Sequence, residues 1–272
     1  MSFYSLQMLE KKIPCLFNDK PDTTDSSQYK LIRTGDIIVK FQDYGWIPWI
    51  LEDELEELKS KPLTSAHIIR LRTHDDFGTI KDSSSNLHTE IIIINSSNTK
   101  TALQIRIGLF REICSNGMVV GEDIYPVFKM KHIGAVRDDL IEYIKNLPTQ
   151  FKSFSGMLAN MENRQLSQSE IYDMGKMSLL LKYKYKQLPT HQQIEDITTA
   201  QRFEDSSSDL WHVFNRIQEN VINGNYFNSY TNEDGDNKLI KAKALTSNIN
   251  SIDLNKQLFS LATQYLNSSS HA

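Results

Sequence analysis

The stretch IIIINSSNTKTALQIRIGLF, residues 91–110, decides the fold class. Four consecutive isoleucines, Ile91 to Ile94, show no polar–apolar alternation, and an apolar run of strand length without alternation is the pattern of a strand covered on both faces. The polar turn Asn95–Lys100 follows, and then alternation begins. Leu103, Ile105, Ile107 and Leu109 fall on one side, with Gln104, Arg106 and Gly108 on the other, as the two-residue repeat of a half-covered strand requires. The first strand is therefore expected at the centre of a sheet and the second beside it.

Toward the N-terminus, AHIIRLRTH (66–74) places Ile69 and Leu71 on one face and Ile68, Arg70, Arg72 and His74 on the other. Before it, GWIPWILEDELEELKSKP leads into an acidic helix over 51–59 that Pro62 stops. Earlier still, KLIRT and DIIVKF flank Gly35-Asp36 and predict a hairpin, and residues 1–29, with the polar DKPDTTDSSQ, read as a separate N-terminal segment. Toward the C-terminus, Asn116-Gly117 suits a tight hairpin turn, and PVFKMKH (126–132) is a last candidate strand.

Beyond Gly134 the apolar period becomes helical. Val136, Leu140, Ile141 and Ile144 share a face before Pro148, and further helices are expected over 168–181, 191–203, 208–222 and 253–266. Asn223-Gly224 closes the fourth of these five. The prediction is an α+β protein with an antiparallel or mixed sheet. A β-rich half, 30–134, holds one short helix and is packed by a helical half, 135–272, as one integrated domain.

Composition narrows the function classes. Thirty Lys and Arg against 34 Asp and Glu give a net charge of −4, so nucleic acid is not held by bulk charge and any such binding needs a local patch. Two cysteines, far apart at 15 and 114, suggest neither a disulfide framework nor a zinc knuckle. The opening MSFYSLQMLEKKIPCLF lacks a basic region followed by an apolar run, and no window approaches the ~20 apolar residues that span a bilayer. A cytoplasmic protein without membrane contact is expected. No HxH or HxxxH pair, GxGxxG or GxxxxGK occurs, so no metal and no cofactor is predicted. NEDGDNK (232–238) lacks the ligand spacing of a calcium loop and reads as a turn.

The strongest local constellation is a set of cations on strands: Arg70, Arg72 and His74 together, Arg106 on the next alternating strand, and Lys129 and Lys131 on the last. If these faces coincide they would follow a phosphate backbone, with Tyr44, Trp46, Trp49 and Phe128 as stacking platforms for unpaired bases. The alternative is a solvated face or charged gatekeepers at a sheet edge. Cys114, Asn116 and His132 supply the residue types of a thiol nucleophile system, but spacing does not bring them together, and a small buried thiol at a strand end is the better account of Cys114. The acidic run 52–57 reads as a solvated face or a docking surface.

Three stretches taken together resemble a known family. IIIINSSNTKTALQIRIGLFREICSNGM, then FKMKHIGAVRDDLIEYI, then DLWHVFNRIQENVINGNY followed by LNKQLFSLATQYL, are similar in order and spacing to the phage- and plasmid-borne proteins grouped as domain of unknown function 932. The resemblance spans about residues 30–266. It implies a mobile-element context, in a bacterial cytoplasm or phage-associated, rather than a reaction. Its characteristic positions here are Arg111, Cys114, Asn116, His132, Gly134, Trp211, Asn215, Glu219 and Asn220, of which Arg111 and His132 carry possible phosphate-binding content. The expectation is an accessory protein that binds single-stranded DNA through Arg70, Arg72, His74, Arg106, Arg111, Lys129, Lys131 and His132. It would act in recombination or replication, with a homo-oligomer as one form. The alternative is a non-enzymatic structural or host-interaction protein that docks a host or phage protein.

Overall fold

The computed structural model describes residues 2–21, 29–50, 52–73, 79–81, 83, 86–98, 101–111, 116–119, 127–132, 138–231, 236–245 and 249–267. In chain order the elements are β1 (Ser2–Phe3), α1 (Leu6–Lys12), α2 (Thr34–Gln42), β2 (Trp46–Ile50), α3 (Glu52–Ser60), β3 (His67–Thr73), β4 (Thr79–Lys81), β5 (Asn86–Asn95), β6 (Leu103–Arg111), β7 (Asn116–Val119) and β8 (Phe128–Met130). They continue as α4 (Asp138–Asn163), α5 (Gln168–Lys182), α6 (His191–Thr198), α7 (Leu210–Asn223), β9 (Phe227–Thr231), β10 (Asn237–Lys241) and α8 (Ile249–Asn267). This is the α+β arrangement the sequence predicts. The chain forms two compact units, one from Met1–Ile80, Asn86–Phe110 and Ile124–Ser153, the other from Lys81–Ser85, Arg111–Asp123 and Phe154–Ala272.

In the first unit the strands run in the order β1-β2-β3-β5-β6, with β4 against β5 and β8 against β6. The registers of β1 on β2, β2 on β3 and β3 on β5 are antiparallel, with Ile69 opposite Ile93 and Arg70 opposite Ile92. Ile91, Ile92, Ile93 and Ile94 are all buried, as a non-alternating run demands. On β6 the expected alternation is overridden: Arg106, Gly108 and Phe110 are as buried as the residues between them. Asn116-Gly117 opens strand β7 instead of making a turn.

The expected hairpin at Gly35 is not formed. DIIVKF lies in helix α2, where Ile37, Ile38 and Phe41 are buried at helical spacing and Arg33 clasps Asp36 at 2.7 Å in the first turn. The β-branched residues that suggested a strand were outweighed by burial on one helical face. Gly35 serves close packing rather than a turn, since a Cβ there would come within 2.6 Å of the Phe17 ring. Helix α4 likewise runs through Pro148 to Asn163. Proline inside a helix costs about 3 kcal/mol, whereas Leu140, Ile144, Leu147, Phe151, Phe154, Leu158 and Met161 are all buried along it, each contributing roughly 1.5–3 kcal/mol. The burial wins.

The second unit is helical. Capping boxes start α5 (Ser167 with Glu170) and α6 (Thr190 with Gln193). Asp209 caps α7 by accepting from the His212 amide. Every residue of α7 from Leu210 to Ile222 is buried, and the helix packs against α5, α6 and α8. Gly224 ends it at φ +67°, where a Cβ would lie 2.3 Å from the Ala242 carbonyl oxygen. Only glycine fits that left-handed position. The antiparallel hairpin β9–β10 follows, pairing Ile240 with Asn228.

Candidate functional site

Register unites the sheet cations in the first unit. Arg70 and Arg72 alternate on one face of β3, Phe110 of β6 meets Arg72 on that face, and Gln104 and Arg106 share its parity, with Lys129 opposite Gln104. The face is not a run of open positive charge. Glu90, whose side chain is fully buried, accepts from Arg70 at 2.8 Å and from Arg72 at 2.6 Å, while Glu54 of α3 takes Arg70 Nε at 3.0 Å. The Arg72 guanidinium lies 3.3 Å from the Trp49 ring centroid and 4.1 Å from that of Phe110. Desolvation opposes both charges, and paired carboxylates with aromatic faces offset it. This geometry suits a structural ion cluster. Arg106 is buried with its guanidinium on Gln104 at 2.8 Å, and among the described residues of this set Lys129 and Lys131 are the exposed ones. His74 and Cys114 lie outside the described residues.

His132 and Arg111 also face inward. The His132 Nδ1 accepts from the Ile32 amide at 3.1 Å and its ring stacks on Tyr29, with burial pushing its pKa below the usual imidazole range. Arg111, in the second unit, is fully buried and donates to Asp205 at 2.5 Å. Around that pair Arg202 binds Glu219, and Arg216 donates to the carbonyls of Asp205 and Ser207 at 3.0 and 2.9 Å. Asn220 donates to the carbonyls of Ile197 and Thr199, closing the C-terminal end of α6. The network fastens α7 to its surroundings.

A serine, a histidine and a carboxylate also come together in the second unit. Ser83 Oγ stands 3.4 Å from His212 Nε2, and His212 Nδ1 is 2.7 Å from Asp209 Oδ2. The order suits nucleophile, base and orienting acid. The Ser83 amide, however, donates to Glu162 at 2.7 Å, which sets a carboxylate where an oxyanion would need donors. The arrangement reads as bracing of the α7 N-terminus.

The open, cationic concavity lies elsewhere in the second unit. A cavity of about 610 Å³ is lined by the end of α5, the hairpin strands, the following 242–245 segment and α8. Lys182, Lys184, Lys241 and Lys243 line it together with Tyr183 and Tyr226, over an apolar wall that includes Ile240 and Leu254, and Asp253 is the one acidic residue among its described lining. Lys182 Nζ donates to the Val221 carbonyl at 2.6 Å and sits 4.8 Å from the Tyr226 ring centroid. Burial lowers its pKa to about 8. The tyrosines are held protonated, Tyr183 and Tyr226 both being shifted upward by burial.

The chain takes an unusual path at the mouth. Lys184 and Tyr185 adopt φ of +52° and +57°, while the Lys184 amide bonds the Leu181 carbonyl and the Tyr185 amide the Leu180 carbonyl. That is the Schellman ending of a helix, whose left-handed residue is usually glycine. Here lysine and tyrosine occupy it, both exposed. The alternating KYKYK at 182–186 is the sequence signal for this site, weaker than the cations carried on strands because helical residues two apart do not share a face. Among the described residues no group of three or more His, Cys, Asp or Glu is placed to hold a metal, and no helix is long and apolar enough to cross a membrane.

The family described as Domain of unknown function (DUF932) matches residues 23–247. The chain belongs to that family. Two similar proteins are the UPF0380 proteins YafZ and YfjQ of Escherichia coli (strain K12), each 26% identical over 79% of this chain and 76% of their own length. No solved structure matches. Within this DUF932 member, Arg111, Trp211, Asn215, Glu219 and Asn220, which carried the resemblance, are all buried. These motif positions mark architecture, while Tyr226 at the end of DLWHVFNRIQENVINGNY and Leu254 at the start of LNKQLFSLATQYL line the lysine–tyrosine cavity.

Proposed function

We propose that this protein is a DNA-metabolism accessory factor, of the kind mobile elements carry, that binds single-stranded DNA without acting on it chemically. The observation that supports this is the convergence of four lysines and two tyrosines on one cavity of the second unit. Lysines neutralise phosphates and aromatic rings stack on unpaired bases in a sequence-tolerant way. Lysines of this rim support the reading better than the sheet face does, because Glu90 and Glu54 occupy Arg70 and Arg72 there.

Fluorescence anisotropy with labelled single-stranded DNA across a salt series tests the reading. Three phosphate contacts, from the exposed Lys184, Lys241 and Lys243, give log K against log salt a slope of about −2 on a single strand. Lys241→Gln with Lys243→Gln should flatten it by about 1.4. Absence of binding at low salt, or a slope untouched by this pair, overturns the reading.

A second reading rests on the hairpin surface. Phe227 and Leu239, which share one face of the hairpin, are 49% and 71% exposed, an apolar display that suits docking of a protein partner. Leu239→Asp should leave DNA affinity intact if the outer hairpin face serves a different partner, and weaken it if the whole hairpin contacts the strand.

A further inference from the structure

We propose that the cavity of the second unit seats a single unpaired nucleotide, its base between the tyrosine and aliphatic walls and its phosphate on the lysines at the mouth. The inference rests on the single-stranded DNA reading and adds what the cavity itself holds. Its size of about 610 Å³ falls within the range of small-ligand sites. The wall chemistry divides in the same sense as a nucleotide. Tyr183 and Ile240 offer flat and aliphatic surface over the buried Tyr226 and Leu254, whereas Lys184, Lys241 and Lys243 are exposed at its borders. Lys182 stands between the two, with its ammonium near the Tyr226 ring and on the Val221 carbonyl.

The backbone supplies an independent argument. A Schellman ending is most favourable with glycine at its left-handed residue, yet this chain places Lys184 and Tyr185 at φ of +52° and +57°. Strain of this kind persists where the surrounding structure over-determines it and clusters at ligand-binding positions. The conformation fixes the Lys184 cation at the cavity lining, where glycine would give a more relaxed helix end and no ligand contact. Gln193 steadies the half-buried Tyr183: its amide donates to the Tyr183 hydroxyl at 3.2 Å and to Asn228 Oδ1 at 3.0 Å, and the Tyr183 hydroxyl donates to the same Asn228 oxygen at 3.0 Å. A ring held by two partners is a preorganised stacking surface.

The test uses the full chain and an oligothymidylate carrying one 2-aminopurine, with thymidine monophosphate as competitor. Stacking in the cavity should quench the 2-aminopurine, the mononucleotide should reverse the quench, and a duplex of the same sequence should show none. Ile240→Glu, at an exposed cavity-lining position, should lower affinity about tenfold or more with an unchanged circular dichroism spectrum. Lys184→Gly should lower affinity severalfold while raising the melting temperature, a combination that a purely structural role does not produce. If the oligonucleotide binds with a normal salt slope but shows no quench and no competition, and Ile240→Glu binds like the parent, the nucleotide cavity is wrong while DNA binding stands. If no oligonucleotide binds at low salt, the underlying reading fails first. If hydrophobic carboxylates such as laurate compete and the mononucleotide does not, the cavity takes another anion and the proposal is overturned.

Discussion

The β-sheet face of the first unit and the cavity rim of the second are built from the same residue types, cations beside aromatic rings, and reach opposite ends. On the sheet, Arg70 and Arg72 turn into a buried carboxylate, with Trp49 and Phe110 closing over the second guanidinium. At the rim, Lys184, Lys241 and Lys243 are exposed around tyrosines, and Asp253 alone opposes them in the described lining. Arginine's planar fork suits a desolvated pairing, whereas lysine's hydrated ammonium keeps its charge in water. Positive charge thus stabilises structure in the first case and remains available to a ligand in the second.

The comparison breaks most visibly at Glu90. Glu90→Gln removes the counter-charge of two buried guanidiniums and should cost about 3–5 kcal/mol in urea unfolding; a loss under about 1 kcal/mol would mean that water or another acid compensates them. Next in size is the acid response of the same unit. His67 is buried, with Nε2 2.6 Å from Thr34 Oγ1 and Nδ1 3.1 Å from the Ser65 carbonyl, and burial pushes its pKa down to about 4. The unfolded chain takes up the proton near the ordinary value of about 6.5, so the neutral ring contributes full stability above that pH. The contribution is lost as pH falls from about 6.5 to about 4, by up to roughly 3 kcal/mol. His67→Gln should flatten that part of the stability–pH curve, and parallel curves for parent and variant would remove the assignment.

Smaller effects belong to the rim. Lys184→Gly should stabilise the protein by about 1 kcal/mol as the left-handed strain is relieved, read from the urea midpoint at unchanged m-value. Lys241→Gln with Lys243→Gln should stay within about 0.5 kcal/mol of the parent in stability, as exposed charges do, while DNA affinity falls. A rim variant that unfolds the protein, or a Glu90 variant that changes only binding, would reverse the contrast between the two regions.

What the sequence disclosed follows from how local each signal is. The run Ile91–Ile94 and the alternation of Arg70 with Arg72 depend only on strand period, and both hold. Glu90 carries the same parity as Ile92 and therefore faces Arg70 and Arg72, yet its role depends on which strands are neighbours, which one chain's pattern does not state. DIIVKF failed as a strand because tertiary burial overrode β-branched propensity, and Pro148 failed as a stop because the apolar stripe continues beyond it. The cavity was hidden for another reason. KYKYK at 182–186 is visible as an alternating basic–aromatic run, but its partners come from the hairpin, the 242–245 segment and α8, so no single window contains the site.

Helix α7 has a further consequence in the language of hydrogen exchange. With every side chain from Leu210 to Ile222 buried, no face of the helix lends its amides to exchange through surface fraying. Its central amides exchange only when the second unit opens as a whole, so their rates report that unit's global unfolding free energy. Amides of the exposed hairpin strands should exchange through much smaller openings. Adding single-stranded DNA should slow both classes, and the ratio of the two protections measures how much of the binding free energy is held locally at the cavity and how much is shared by the fold behind it.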